Sequence, residues 1–145
     1  MVITPPDHPL LKKEHLALED LKGYPLITYD PNFAGRPKID KAFALRHLEP
    51  DIILEAIDAD VIKTYVEIGL GIGIVAGLAY DAERDRNLRG IPAGHLFGTN
   101  VTHLAVKQGA YLRSFVYTFI ELFSPTLNRK LVEQAMSGEH EVYEL

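Results

Sequence analysis

Two short runs in this chain combine residue types and spacing suited to capturing a small charged group. The first is Asp30-Pro-Asn-Phe-Ala-Gly35, followed at once by Arg36-Pro37. Its aspartate, proline, asparagine and glycine make a loop by turn chemistry. Pro37 suits the opening of a helix. A helix start presents backbone N–H groups without intrahelical acceptors and about half a positive charge. Asn32, Phe33, Ala34, Gly35 and Arg36 are therefore candidate anion-binding residues. The N–H groups of residues 33–36 would be the donors, and Arg36 could add a full charge. The competing reading is ordinary capping, with Arg36 on the surface. The second run is Asp58-Ala-Asp60, at the start of another helix. Its two carboxylates already sit on the dipole, which suits self-capping or contact with an amino group rather than an anion.

Other chemistry is thin. The histidines (His8, His15, His47, His95, His103, His140) are scattered and form no i, i+4 metal pair. The serines (Ser114, Ser124, Ser137) sit in no G-x-S-x-G turn. The chain has no cysteine, which excludes a disulfide scaffold, a thiol nucleophile and cysteine-ligated metal. No catalytic residue, metal or cofactor is expected, and the chain does not read as an enzyme. The run Gly69-Leu-Gly71-Ile-Gly73-Ile-Val-Ala-Gly77 invites a dinucleotide reading. That fingerprint follows a strand and opens a helix. Here the glycines follow a helix and lead into a strand, so helix stop, tight turn and close strand entry are expected.

The elements that must carry these runs follow from periodicity. Pro25–Tyr29, Asp51–Ile57 and Gly73–Ala76 read as strands, the second with an apolar centre suited to cover on both faces. Arg36–Leu48 and Asp58–Gly69 read as helices, with apolar residues at 3.6 spacing. A short helix is expected near Ala17–Lys22, a short strand at Leu88–Ile91 and a loop over Ala93–Asn100. Val101–Lys107 alternates as a strand does. Tyr111–Phe123 carries a stripe of Leu112, Phe115, Val116, Phe119, Ile120 and Phe123, and Ser124-Pro125 can open a last helix to about Met136. Strands alternating with helices imply an α/β fold, a mostly parallel sheet with helices on both faces. In such a sheet, loops at the carboxyl ends of the strands gather in one crevice, and both candidate runs are loops of that kind.

The 145 residues suffice for one domain or two small lobes. Lys plus Arg is 15 and Asp plus Glu is 20, a formal charge of -5. That argues against direct grip on nucleic-acid phosphate. The longest apolar stretch, Ile68–Leu78, is interrupted by glycines and too short to span a membrane. The N-terminal run lacks a signal-peptide layout, so a cytoplasmic location is expected.

The segment DADVIKTYVEIGLGIGIVA (Asp58–Ala76) resembles the effector domains of LysR-type transcriptional regulators, and its DADVIKTYV wording resembles their CysB-like cysteine-regulon branch. So do TPPDHPL (Thr4–Leu10), YPLITY (Tyr24–Tyr29), FAGR (Phe33–Arg36) and the block from Tyr111 to Phe115. The resemblance spans about residues 2–136. It implies a periplasmic-binding-protein-like α/β fold with two lobes. On that layout residues 1–4 are a crossover strand from lobe one and 5–100 are lobe two. Residues 101–107 are the return crossover strand, 108–136 the C-terminal helices of lobe one, and 137–145 an acidic tail.

The family also implies about twice this length and an N-terminal winged helix-turn-helix, so the sequence reads as a piece of a regulator. DNA would be reached only through that absent domain, and a homo-oligomer is expected. The effector would be a small anion of the sulfate, acetylserine or adenylyl sulfate class, held in an inter-lobe cleft. The family motif F-T-G-R places a threonine where this chain has Ala34, so a hydroxyl donor is lost. The alternative is a solute-binding protein of a transport system with the same fold.

Overall fold

The computed structural model describes residues 1–99, 101–107 and 109–137. The chain divides into two compact units, Met1–Asn100 and Val101–Leu145.

The first unit is built on five strands: β1 (Val2–Thr4), β2 (Leu26–Tyr29), β3 (Ile52–Ala56), β4 (Ile72–Ile74) and β5 (Arg89–Ile91). Their order across the sheet is β3-β2-β4-β1-β5. β2 runs parallel to β3 and β4, whereas β1 runs antiparallel to β4 and β5. The expected mostly parallel sheet is thus a mixed one. β1 is short, yet it lies inside the sheet and is fully buried.

Alternation along the strands sorts the core onto two faces. Val2, Leu26, Ile72 and Ile74 point to one side. There they meet Leu18 and Leu21 of α1 (Leu18–Leu21) and Ile39 and Phe43 of α2 (Arg36–Leu45). Ile3, Ile27, Tyr29 and Ala56 point to the other side, against Ile62 and Val66 of α3 (Ala59–Glu67). Gly73 lets α3 close on the sheet: a Cβ there would lie 2.6 Å from Ile3 and 3.0 Å from Ile62. Gly69 ends α3 at φ +81°, the left-handed turn for which glycine is suited.

Three further expectations are corrected. β3 is an edge strand, with Ile53 and Glu55 exposed, so its apolar centre reflects cover on one face only. Residues 93–100 hold one helical turn, α4 (Gly94–Phe97), which docks on α2 and contributes Leu96 and Phe97 to the core. Val101–Lys107 forms no strand and is exposed; an alternating pattern becomes a strand only where another strand takes its hydrogen bonds.

In the second unit, α5 (Ser114–Phe123) starts three residues later than Tyr111, and α6 (Arg129–Ser137) follows a turn at Ser124–Leu127. Ile120 is buried, whereas Phe115, Phe119 and Leu122 are exposed. The Arg129 guanidinium lies 4.7 Å from the Tyr117 ring centre and pairs with Glu133 at 2.8 Å. Apart from Ser137, the acidic tail lies outside the described residues.

Candidate functional site

Because β2, β3 and β4 are parallel, their carboxyl ends share one side of the sheet. Tyr29 ends β2 in register with Ala56, which ends β3. The Asp30 N–H then donates to the Ala56 carbonyl at 2.9 Å, joining the two loops at their roots. The loops Asp30–Gly35, Ile57–Asp58 and Val75–Ala76 therefore leave from one place, and both sequence-predicted runs are brought to it.

The loop after β2 is folded by its own polar groups. Asp30 Oδ1 accepts from the Asn32 N–H at 2.9 Å and from Asn32 Nδ2 at 2.8 Å. The Phe33 N–H donates to the Asp30 carbonyl, and the Arg36 N–H to the Phe33 carbonyl, both at 2.9 Å. Of the four donors expected to face an anion, those of Phe33 and Arg36 are thus engaged inside the turn. Among the described residues, the N–H groups of Ala34 and Gly35 have no protein acceptor. Ala34 is exposed, and both sit at the start of the ten-residue helix α2, where the dipole favours negative charge.

Arg36 is buried rather than on the surface. Its Nε donates to Asp40 at 2.7 Å, and Nη1 donates to Glu55 at 2.6 Å and to the Tyr29 carbonyl at 2.7 Å. Burial works against its charge, but the bonds to Asp40 and Glu55 outweigh this and hold the guanidinium above its ordinary pKa. The guanidinium ties the ends of β2 and β3 to α2, and its charge is balanced within the protein.

Asp58 and Asp60 adopt the self-capping arrangement. Asp58 Oδ1 accepts from the Asp60 N–H at 2.6 Å, and Asp60 pairs with Lys63 at 2.8 Å. The Asp60 hydrogen bond lifts the Lys63 ammonium above its ordinary pKa; burial opposes this, and Asp85 at 3.2 Å adds to it. Asp85 in turn accepts from the Asp81 N–H, so Lys63 also pins the charged loop after β4 to α3.

One contributor escapes a reading of motifs. The Tyr29 hydroxyl accepts from the Ala76 N–H at 3.1 Å, and the Tyr29 ring stacks on Phe33 with centroids 4.0 Å apart and planes at 11°. Burial raises the Tyr29 phenol above its ordinary pKa; the Ala76 N–H opposes that rise and nearby Asp58 adds to it. The only signal for Tyr29 in the sequence is its place as the last strand residue before the loop.

Among the described residues, no group of three or more His, Asp or Glu side chains is placed to hold a metal ion. The site offers two unpaired N–H groups at a helix start and a rigid, internally neutralised frame.

The family model described as LysR substrate binding domain matches residues 1–128. The chain belongs to this family. It is 69% identical over 143 residues to HTH-type transcriptional regulator CysB of Burkholderia cenocepacia, covering 99% of this chain and 46% of that protein. It is 50% identical over 127 residues to HTH-type transcriptional regulator SsuR of the same organism, covering 88% of this chain and 41% of that one. Among solved structures, the cofactor-binding domain of the Cbl transcriptional regulator superposes with a TM-score of 0.76 at 41% identity. That match covers 93% of this chain and 59% of the solved one. The chain thus spans less than half the length of these two curated relatives. It is a LysR-type effector-binding region of the CysB, Cbl and SsuR kind, with the α/β architecture that the resemblance implied. Among its described residues no helix is long and apolar enough to cross a membrane.

Proposed function

We propose that this LysR-type region senses a small anionic metabolite of sulfur or cysteine metabolism for a transcriptional regulator. The effector is of the sulfate, acetylserine or adenylyl sulfate class. The observation that carries this reading is the pair of unpaired N–H groups on Ala34 and Gly35 at the start of α2. Two such donors on a positive helix end suit one anionic oxygen group. The identity to CysB and SsuR supports the sulfur assignment.

The loops after β2, β3 and β4 would supply one wall of an inter-lobe cleft. DNA is contacted by a separate domain of the longer, oligomeric regulator, consistent with the acidic balance of this chain. Binding acts on transcription only through unequal affinity for two arrangements of the regulator. The homologues are regulators rather than enzymes, and the proposed step is binding without chemistry.

The test is an amide-resolved NMR titration of the protein with sulfate, O-acetylserine and adenylyl sulfate, against sodium chloride at matched ionic strength. Saturable shifts are expected at the Ala34 and Gly35 amides with at least one of the three. Chloride-like responses to all three would overturn the proposal.

A further inference from the structure

The Ala34 and Gly35 donors lie on a loop anchored at its root by the Asp30 N–H on the Ala56 carbonyl; beyond that root its backbone bonds are local, Asn32 and Phe33 to Asp30, and Arg36 to Phe33. Past that anchor, what holds it against the sheet is side-chain contact. Its Phe33 ring lies flat on Tyr29, with centroids 4.0 Å apart and planes at 11°. Tyr29 is buried and cannot turn away, because its hydroxyl is held by the Ala76 N–H at 3.1 Å and its carbonyl by Arg36 at 2.7 Å. One aromatic residue therefore meets three pieces of chain: the loop after β2, the loop after β4, and the first turn of α2.

We infer that Tyr29 and Phe33 are positioning residues for anion binding: their stack sets the direction of the Ala34 and Gly35 N–H groups and couples that direction to the loop at Ala76. This rests on the proposed anion site and adds to it a means by which occupancy at one loop is felt at another. Neither ring need touch the anion. Stacked aromatic pairs contribute beyond their buried area, and preorganised donors bind more tightly than donors that must first be ordered. Phe33 retains 38% of its surface open, so it can be altered without opening the core.

The experiment uses Phe33→Leu, which keeps an apolar side chain without the stack, Phe33→Tyr, which keeps the stack, and Tyr29→Phe, which keeps the stack and leaves the Ala76 N–H unpaired. Each is titrated with sulfate by amide NMR beside the unaltered protein, and each is melted. Phe33→Leu is expected to weaken sulfate binding about two- to tenfold, the range that loss of one aromatic pair converts to. Its melting temperature should stay near that of the unaltered protein, and Phe33→Tyr should restore the affinity. In Tyr29→Phe the sulfate-induced shift at Ala76 should disappear while the shifts at Ala34 and Gly35 remain.

Equal affinity in Phe33→Leu and in the unaltered protein would overturn the inference. So would an Ala76 shift that survives in Tyr29→Phe. Failure of the unaltered protein to respond to any of the three anions would instead remove the anion site itself, so the two failures are separate readings.

Discussion

The Arg36 guanidinium lies 2.6 Å from Glu55, joining the first turn of α2 to the edge strand β3. The same guanidinium reaches Asp40 and the Tyr29 carbonyl. A buried donor with three acceptors is expensive to unmake on one side only. Arg36→Ala is expected to destabilise the protein by about 1–3 kcal/mol. Arg36→Lys should recover little, because an ammonium cannot reproduce the planar fork. Glu55→Gln should cost about 1 kcal/mol or less, since Glu55 is partly exposed and Arg36 keeps its other partners. Denaturant unfolding checks all three. A Glu55→Gln loss as large as that of Arg36→Ala would show that the pair, not the cluster, matters.

Ala34 offers a direct gain-of-affinity experiment. The resemblance in FAGR implies a threonine at this place, and Ala34 is exposed beside the two unpaired N–H groups. Ala34→Thr adds one hydroxyl donor with no core to disturb. A hydrogen bond to a charged group contributes roughly 1.5–3 kcal/mol. Sulfate affinity should therefore rise at least about tenfold in a titration. Ala34→Pro removes an N–H and should lower it.

His8 makes the stability of the N-terminal segment pH-dependent. Its Nδ1 accepts from the Leu10 N–H at 3.3 Å, and its ring meets Tyr24 edge-on at 4.5 Å. Partial burial holds its pKa below the ordinary value. The folded protein therefore binds this proton less readily than the unfolded chain does. The contribution is complete above about pH 6.5, the unfolded value, and is lost as pH falls through the folded value. His8→Asn keeps a capping acceptor without the titration. Between about pH 7 and pH 5 the unaltered protein should lose more melting temperature than His8→Asn does.

Gly71, just before β4, and Gly23, just before β2, are predicted to differ sharply. A Cβ on Gly71 would run into the Pro25 carbonyl oxygen, a backbone atom that also accepts from the Ile72 N–H and cannot withdraw. Gly71→Ala should cost about 2 kcal/mol or more. Gly23 faces open space, without a positive φ, so Gly23→Ala should stay within about 0.5 kcal/mol. Thermal melts of the two variants provide the comparison.

Much of the first unit was legible from local pattern. The stripe in Asp58–Gly69 and the Pro37 signal at Arg36 locate α3 and α2 to within a few residues, because amphipathic periodicity and capping act within a turn. The rejection of a dinucleotide loop at Gly69–Gly77 also holds, since those glycines do end a helix and enter a strand. Resemblance in the DADVIKTYV and FAGR wording reached the family before any coordinates.

What the residues alone determined is therefore the inventory: most of the elements, which helix starts follow a strand, the acidic balance and the family. Tertiary structure decided the partners. It made β3 an edge and β1 an interior antiparallel strand, left Val101–Lys107 without a ladder, engaged Arg36 with Asp40 and Glu55, and brought Tyr29 under Phe33. Periodicity records which way a side chain must face, whereas strand neighbours and ion pairs depend on residues distant in the chain. Ala76 lies 47 positions from the hydroxyl it binds, and no local pattern encodes that meeting.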